Sequence, residues 1–229
     1  MTEANRLYES GAFPEATDRL QALADAGVQD GRLYYNLGAA YLKTGDLGRA
    51  VLNFRRAQEH LPRDHDVAAN LGLARAMTFD HIEIGGRETV ASVARSIIEW
   101  TTLNEAAYSA LLLWILVCAL TTGAILSSRN LRRVLFGLAA IAGVLCLLVM
   151  LSLSIRVLDG SQQPPAVIVA DEVSLHSGPS HDYLTEFSLH AGTEVRIIER
   201  REKWVRVALP GGMQGWAPDD AVIALFSDD

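Results

Sequence analysis

Residues 31–62 read GRLYYNLGAAYLKTGDLGRAVLNFRRAQEHLP, and their spacing sets the architecture of the N-terminal third. With Gly31 as position 1 of a 34-residue period, Tyr34, Leu37, Gly38 and Tyr41 take positions 4, 7, 8 and 11. Gly45, Ala50, Phe54, Ala57 and Pro62 take positions 15, 20, 24, 27 and 32. Apolar residues three and four apart on both sides of Gly45 predict two amphipathic helices joined by a tight turn. Gly38 and Ala50 are small where the helices would cross, Tyr41 and Phe54 fill the wider gaps, and Pro62 ends the second helix. The register continues upstream through Leu7, Gly11, Ala16 and Leu20, and downstream through Leu71 and Gly72 to a helix end near Met77. Two hairpins and a capping helix are expected, with a break over Phe79 to Gly86. The last helix needs a further surface to cover it.

This pattern resembles the tetratricopeptide repeat family. The resemblance implies a concave groove, in which Asn36 and Asn70 share position 6, with Tyr35, Ala39 and Lys43 nearby. In related repeats an asparagine at that position can hydrogen-bond the backbone of an extended peptide. Asn-Leu-Gly is also a common repeat signature in its own right, so both readings stand. The groove is sparse in Lys and Arg, which a carboxylate clamp requires.

Half of the 229 residues are apolar, and the excess is concentrated between Ala106 and Ile155. Two runs there match the ~20 residues needed to cross a bilayer core. One is expected from Glu105 to Leu126, capped by Asn104, and the other from Val134 to Ile155. The short turn between them makes an antiparallel hairpin, with both soluble parts on one side. Arg129, Arg132 and Arg133 lie in that turn, against Arg95 and Arg156 near the outer ends, which puts the turn in the cytoplasm. Ala119 with Gly123 and Ala139 with Gly143 would allow close helix approach. Neither span carries an interior charge, so no ion path is indicated. Cys118 and Cys146 lie inside the runs and are expected as packing residues. Gly86 to Trp100 reads as an amphipathic helix, lying either at the lipid interface or under the repeats.

After the polar, proline-bearing stretch Ser161 to Pro165 the period changes to two. Strands are expected at Ala166–Ala170, Val173–Leu175, Glu194–Arg200, Trp204–Leu209 and Gly212–Ala217, and five or six short strands suggest a small closed barrel. The runs Val173-Ser174-Leu175-His176-Ser177-Gly178-Pro179, Gly192-Thr193-Glu194-Val195, Lys203-Trp204-Val205-Arg206-Val207 and Gly215-Trp216-Ala217-Pro218 resemble a bacterial SH3 domain. His176 stands where that family usually carries arginine. The resemblance implies an aromatic surface from Tyr183, Trp204, Trp216 and Pro218 that docks peptides or cell-wall stems, although Trp204 and Trp216 fit a core role equally well.

Net charge is about −3 over residues 1–103, +2 over 104–155 and −6 over 156–229. No basic stripe exists, which sets nucleic-acid binding aside. No catalytic residue, cofactor site or metal site is expected. There is no HExxH, GxSxG or GxxxxGK[ST]. Arg63-Asp64-His65-Asp66 invites a metal reading, but its place between repeats favours a solvated turn.

The expected fold class is a multidomain membrane protein: an all-α tetratricopeptide repeat domain, a two-helix transmembrane hairpin and a small all-β SH3-like barrel. The divisions are repeats at 1–80, an amphipathic connector at 81–104, spans at 105–126 and 134–155 around a turn at 127–133, a linker at 156–165 and the barrel at 166–227. This order of modules resembles the BatE-type proteins of the bacterial Bat aerotolerance cluster. The resemblance implies a non-enzymatic scaffold in the inner (cytoplasmic) membrane, with both soluble parts periplasmic. Its implied partners are membrane-anchored von Willebrand factor A proteins and a MoxR-type ATPase, besides the lipid bilayer. A peptidoglycan-binding anchor is the other reading. The register puts Met1 at repeat position 5, and Met1 to Thr17 has no apolar export segment. Translation is therefore expected to start upstream, the alternative being a frayed first repeat on a cytoplasmic domain.

Overall fold

The computed structural model describes residues 2–80 and 102–226. The connector expected at Gly86 to Trp100 lies outside them. Two compact units result, and the first is built from both ends of the chain. Its helical part comprises α1 (Thr2–Glu9), α2 (Phe13–Asp25), α3 (Gly31–Thr44), α4 (Leu47–His60) and α5 (His65–Met77).

Local chemistry fixes these boundaries. Asp30, Asp46 and Asp64 are N-caps of α3, α4 and α5, each accepting from backbone N–H groups of the first turn. Such a cap contributes about 1 kcal/mol. Asp64 therefore caps a helix, and among the described residues no group of three or more His, Cys, Asp or Glu could hold a metal ion. Gly45 ends α3 at φ 87°, a left-handed conformation that favours glycine. At Gly38 a β-carbon would fall 2.9 Å from the Phe54 ring, so that close crossing requires the glycine.

The same unit contains one antiparallel sheet. Its strands are β1 (Pro165–Ile168), β2 (Glu172–His176), β3 (Thr185–His190), β4 (Glu194–Arg201), β5 (Trp204–Ala208), β6 (Gln214–Pro218) and β7 (Val222–Ala224). They run in the order β3-β2-β6-β5-β4-β1-β7. All seven strands contribute to a single apolar cluster that includes Ile168, Leu175, Leu189, Val195, Val205, Ala217 and Val222. A single layer whose strands share one core has curled around it. β3 and β7 were not expected from the sequence. Thr185 to His190 offers only two apolar residues to alternate, Phe187 and Leu189, and Val222 to Ala224 is only three residues long.

The helical part and the sheet are not separate modules. Residues 50 to 54 of α4 are all buried, which a helix achieves only when covered on opposite sides. Helices α3 and α5 cover one side and β1 packs on the other. Val167 of β1 and Leu225 share a cluster with Ala50, Val51, Phe54, Leu71 and Ala74. The surface that the last helix required is the sheet.

The second unit contains α6 (Leu103–Leu126) and α7 (Arg129–Gln162), both long and apolar enough to cross a membrane. Thr102, not Asn104, caps α6, in a reciprocal capping box with Glu105. The break between the helices is only Ser127 and Ser128, so Arg129, Arg132 and Arg133 open α7 instead of forming a turn at 127–133. Helix α7 also continues past Ile155, through most of the expected linker. The Arg132 guanidinium donates to the Ala124 carbonyl at 3.3 Å, satisfying an orphan acceptor at the end of α6.

Among the buried and half-buried positions, Ala106, Ala110, Leu113, Val117, Leu120 and Ala124 of α6 and Leu135, Ala139, Ala142, Cys146, Val149 and Leu153 of α7 advance in alternating steps of four and three. That is the spacing of a coiled-coil seam. Its small residues are mainly alanines. Ala119 is exposed and Gly143 has open space around it, so the expected small-residue faces are only partly used. Cys146 is buried in the seam, its thiol 3.6 Å from the Ala110 carbonyl, whereas Cys118 is exposed.

Candidate binding surfaces

Helices α1, α2 and α3 form a cavity of about 240 Å3 lined by Asn5, Tyr8, Glu9, Leu20, Tyr35, Asn36 and Ala39. Asn36 donates from Nδ2 to Asn5 Oδ1 at 3.1 Å. Asn70, on α5, donates from Nδ2 to the Tyr35 hydroxyl at 2.8 Å. The two asparagines that share a repeat position thus have different partners.

Of the residues expected in a groove, Tyr35, Asn36 and Ala39 line the cavity. Asn70 reaches it through Tyr35, and Lys43 is exposed one turn beyond Ala39 on α3. The α1 wall was missed. It was legible, since Asn5 precedes Ala39 by one 34-residue period. Burial, followed by the Asp66 and Asp64 carboxylates, holds the Tyr35 phenol above its ordinary value, while the bond from Asn70 opposes them.

On the sheet, the loop between β2 and β3 carries the exposed Tyr183 and Leu184. The Tyr183 ring packs over Gly178, where a β-carbon would fall 2.7 Å from it. His176 Nδ1 lies 3.1 Å from the Tyr183 carbonyl and ties the loop down. Trp204 is half-buried, with the His181 and His176 rings edge-on at 4.8 and 5.5 Å. Pro218 is half-buried and pairs with Trp204 in the β5–β6 register.

Trp216 is buried, with the Arg201 guanidinium 5.3 Å from its ring centre, and so is not an open platform. The accessible aromatic surface is Tyr183 with His181 and Trp204. His181 gave no signal in the sequence, because only the fold of the loop brings it to Trp204.

A third region joins the helices to the sheet. Arg56 donates from Nε to the Leu225 carbonyl at 2.5 Å and from Nη2 to the Ala224 carbonyl at 3.1 Å. Burial lowers its pKa from the ordinary arginine value, although Tyr34 and Tyr41 oppose this. Glu194 bridges two helices, 3.0 Å from Arg55 and 2.6 Å from Arg75. Asp80 accepts from the His190 N–H at 2.7 Å and from the Thr193 hydroxyl at 2.7 Å, and lies 2.9 Å from His190 Nδ1. Burial raises the Asp80 pKa, but these bonds outweigh it and hold the carboxyl below its ordinary value.

Residues 169–222 match the bacterial SH3 domain family. No curated protein matches the chain. The match begins after β1 and ends at the first residue of β7. The strands and carbonyls that engage α4 therefore lie almost entirely outside the segment shared with other bacterial SH3 domains.

Proposed function

We propose that the chain is a non-enzymatic, membrane-anchored envelope scaffold. The hairpin of α6 and α7 anchors it, the helical groove holds a partner, and the bacterial SH3 domain supplies a second docking surface. The observation that carries this reading is that the strands flanking a bacterial SH3 match pack on the N-terminal helical part, with two spanning-length helices between them in sequence. Residues before Asp80 and after Pro165 that pack together occupy one compartment, so the intervening chain crosses a membrane an even number of times. Two spans satisfy this without appeal to charge. The arginines opening α7 support a cytoplasmic turn and a periplasmic SH3 domain. The Bat-cluster resemblance supplies the partners, membrane-anchored von Willebrand factor A proteins and a MoxR-type ATPase, and the link to aerotolerance or envelope stress.

A second reading, a peptidoglycan-binding anchor, is favoured by the exposed Tyr183 and Leu184 beside Trp204. The full chain in non-ionic detergent, sedimented with purified sacculi, separates the two. Retention that Tyr183→Ala abolishes supports the anchor. Recovery of the chain in the supernatant, together with in-cell crosslinking to a membrane-anchored protein, supports the scaffold.

A further inference from the structure

The loop after β2 brings two histidines together. His176 is the last residue of β2 and His181 lies further along in the loop, and their ring centres stand 5.5 Å apart with the planes at 86°. His176 is buried and His181 exposed, so the pair spans the boundary between the sheet and solvent.

The hydrogen bond on one side of His176 fixes which of its nitrogens is available. Nδ1 lies 3.1 Å from the Tyr183 carbonyl. A carbonyl can only accept, so Nδ1 carries the hydrogen, and in the neutral ring Nε2 keeps the lone pair. Among the described residues Nε2 has no hydrogen-bond partner, and it is not sealed from solvent. Metal-binding imidazoles almost always donate their second N–H to a carbonyl, carboxylate or water in this way, which fixes the tautomer and the ring orientation. Two imidazoles that share one ion through metal–nitrogen bonds of about 2.1 Å have ring centres roughly 5 Å apart. The observed separation is close to that value. The loop that carries His181 is held by the Tyr183 ring over Gly178 and by the bond to His176.

We propose that His176 Nε2 and a ring nitrogen of His181 together bind one late first-row transition-metal ion, with water completing its coordination sphere. Imidazole suits Cu(II), Ni(II) and Zn(II), and Cu(II) binds most tightly of the three. The attraction is set by nitrogen lone pairs and not by the net charge of the surrounding surface. The ion fastens the loop to the end of β2. It also lies beside Trp204, whose ring centre is 4.8 Å from that of His181 and 5.5 Å from that of His176. The accessible aromatic surface thereby becomes stiffer when metal is bound. This site stands independently of what the groove or the aromatic surface docks.

The test titrates the full chain, in non-ionic detergent and a weakly coordinating buffer, with Cu(II) alone. Tryptophan fluorescence reports occupancy, because Cu(II) quenches an adjacent indole. Quenching should saturate at one ion per chain, and the electron paramagnetic resonance spectrum should show splitting from two imidazole nitrogens. Trp204→Phe should remove most of the quenching and leave that spectrum unchanged. His181→Ala, at an exposed position, should weaken Cu(II) binding at least tenfold. His176→Asn should do the same, since the asparagine amide can still donate to the Tyr183 carbonyl but offers no nitrogen lone pair. An unchanged titration midpoint in His181→Ala and His176→Asn overturns the proposal, as does a spectrum with fewer than two imidazole nitrogens or the absence of saturable quenching.

Discussion

Gly48 of α4 lies directly against Val169, the residue that follows β1: a β-carbon on Gly48 would fall 2.7 Å from the Val169 Cα and 2.8 Å from the Ile168 carbonyl oxygen. Neither obstacle is a flexible side-chain tip, so any larger residue must move backbone. Gly48→Ala is expected to destabilise the unit by about 1–3 kcal/mol, the usual range for overpacking. Hydrogen exchange measured by mass spectrometry should rise in residues 165–169 and 222–226 before it rises in β5. Unchanged exchange in those segments would show that the sheet does not depend on this approach.

Arg56 closes the end of β7 by donating to the carbonyls of Ala224, its last residue, and of Leu225, which follows it. Arg56→Met keeps the side-chain bulk over Tyr34 but leaves those acceptors unpaired, costing about 1–3 kcal/mol. The measurement is thermal unfolding followed by tryptophan fluorescence. Loss should be smaller for Glu194→Gln, because its partners Arg55 and Arg75 are partly exposed and such pairs contribute about 1 kcal/mol or less.

Asp80 links folding to pH. Its carboxyl is held below the ordinary value of 3.8, so the folded state binds that proton less readily than the unfolded chain. The contribution is fully present above the unfolded value and is lost as pH falls through the folded one. The stability difference between the natural chain and Asp80→Asn should therefore be largest near neutral pH and shrink progressively below about pH 4. A difference that stays constant down to about pH 3 would contradict this role.

Both ends of the chain share a core, which constrains any membrane arrangement. A membrane-impermeant maleimide should label a cysteine introduced at Asp18 and one introduced at Glu202 equally in intact spheroplasts. One introduced at Ser128 should be labelled only after lysis. Labelling of the Asp18 and Glu202 positions from opposite sides would overturn the shared core.

Much of the fold was legible because it is local. The 34-residue register located α3 and α4, and uninterrupted apolar runs gave α6 and α7. Alternation also found five strands, although β3, with only Phe187 and Leu189 on its apolar face, and the three-residue β7 fell below the signal. In the groove, Tyr35, Asn36 and Ala39 followed from repeat position. Asn5 followed equally, but Tyr8 and Glu9 depend on how α1 lies across α3.

What the sequence by itself determined was the set of elements, since periodicity, capping and breaking act within a turn or two of chain. The tertiary structure alone decided that residues separated by more than a hundred positions, Arg56 with Leu225, Asp80 with His190 and Gly48 with Val169, come into contact. The apolar face of a helix records that it must be covered but carries no information about what covers it. Here the covering surface is a sheet reached only after the chain has passed through α6 and α7, and shape and hydrogen-bond complementarity across that long loop selected it.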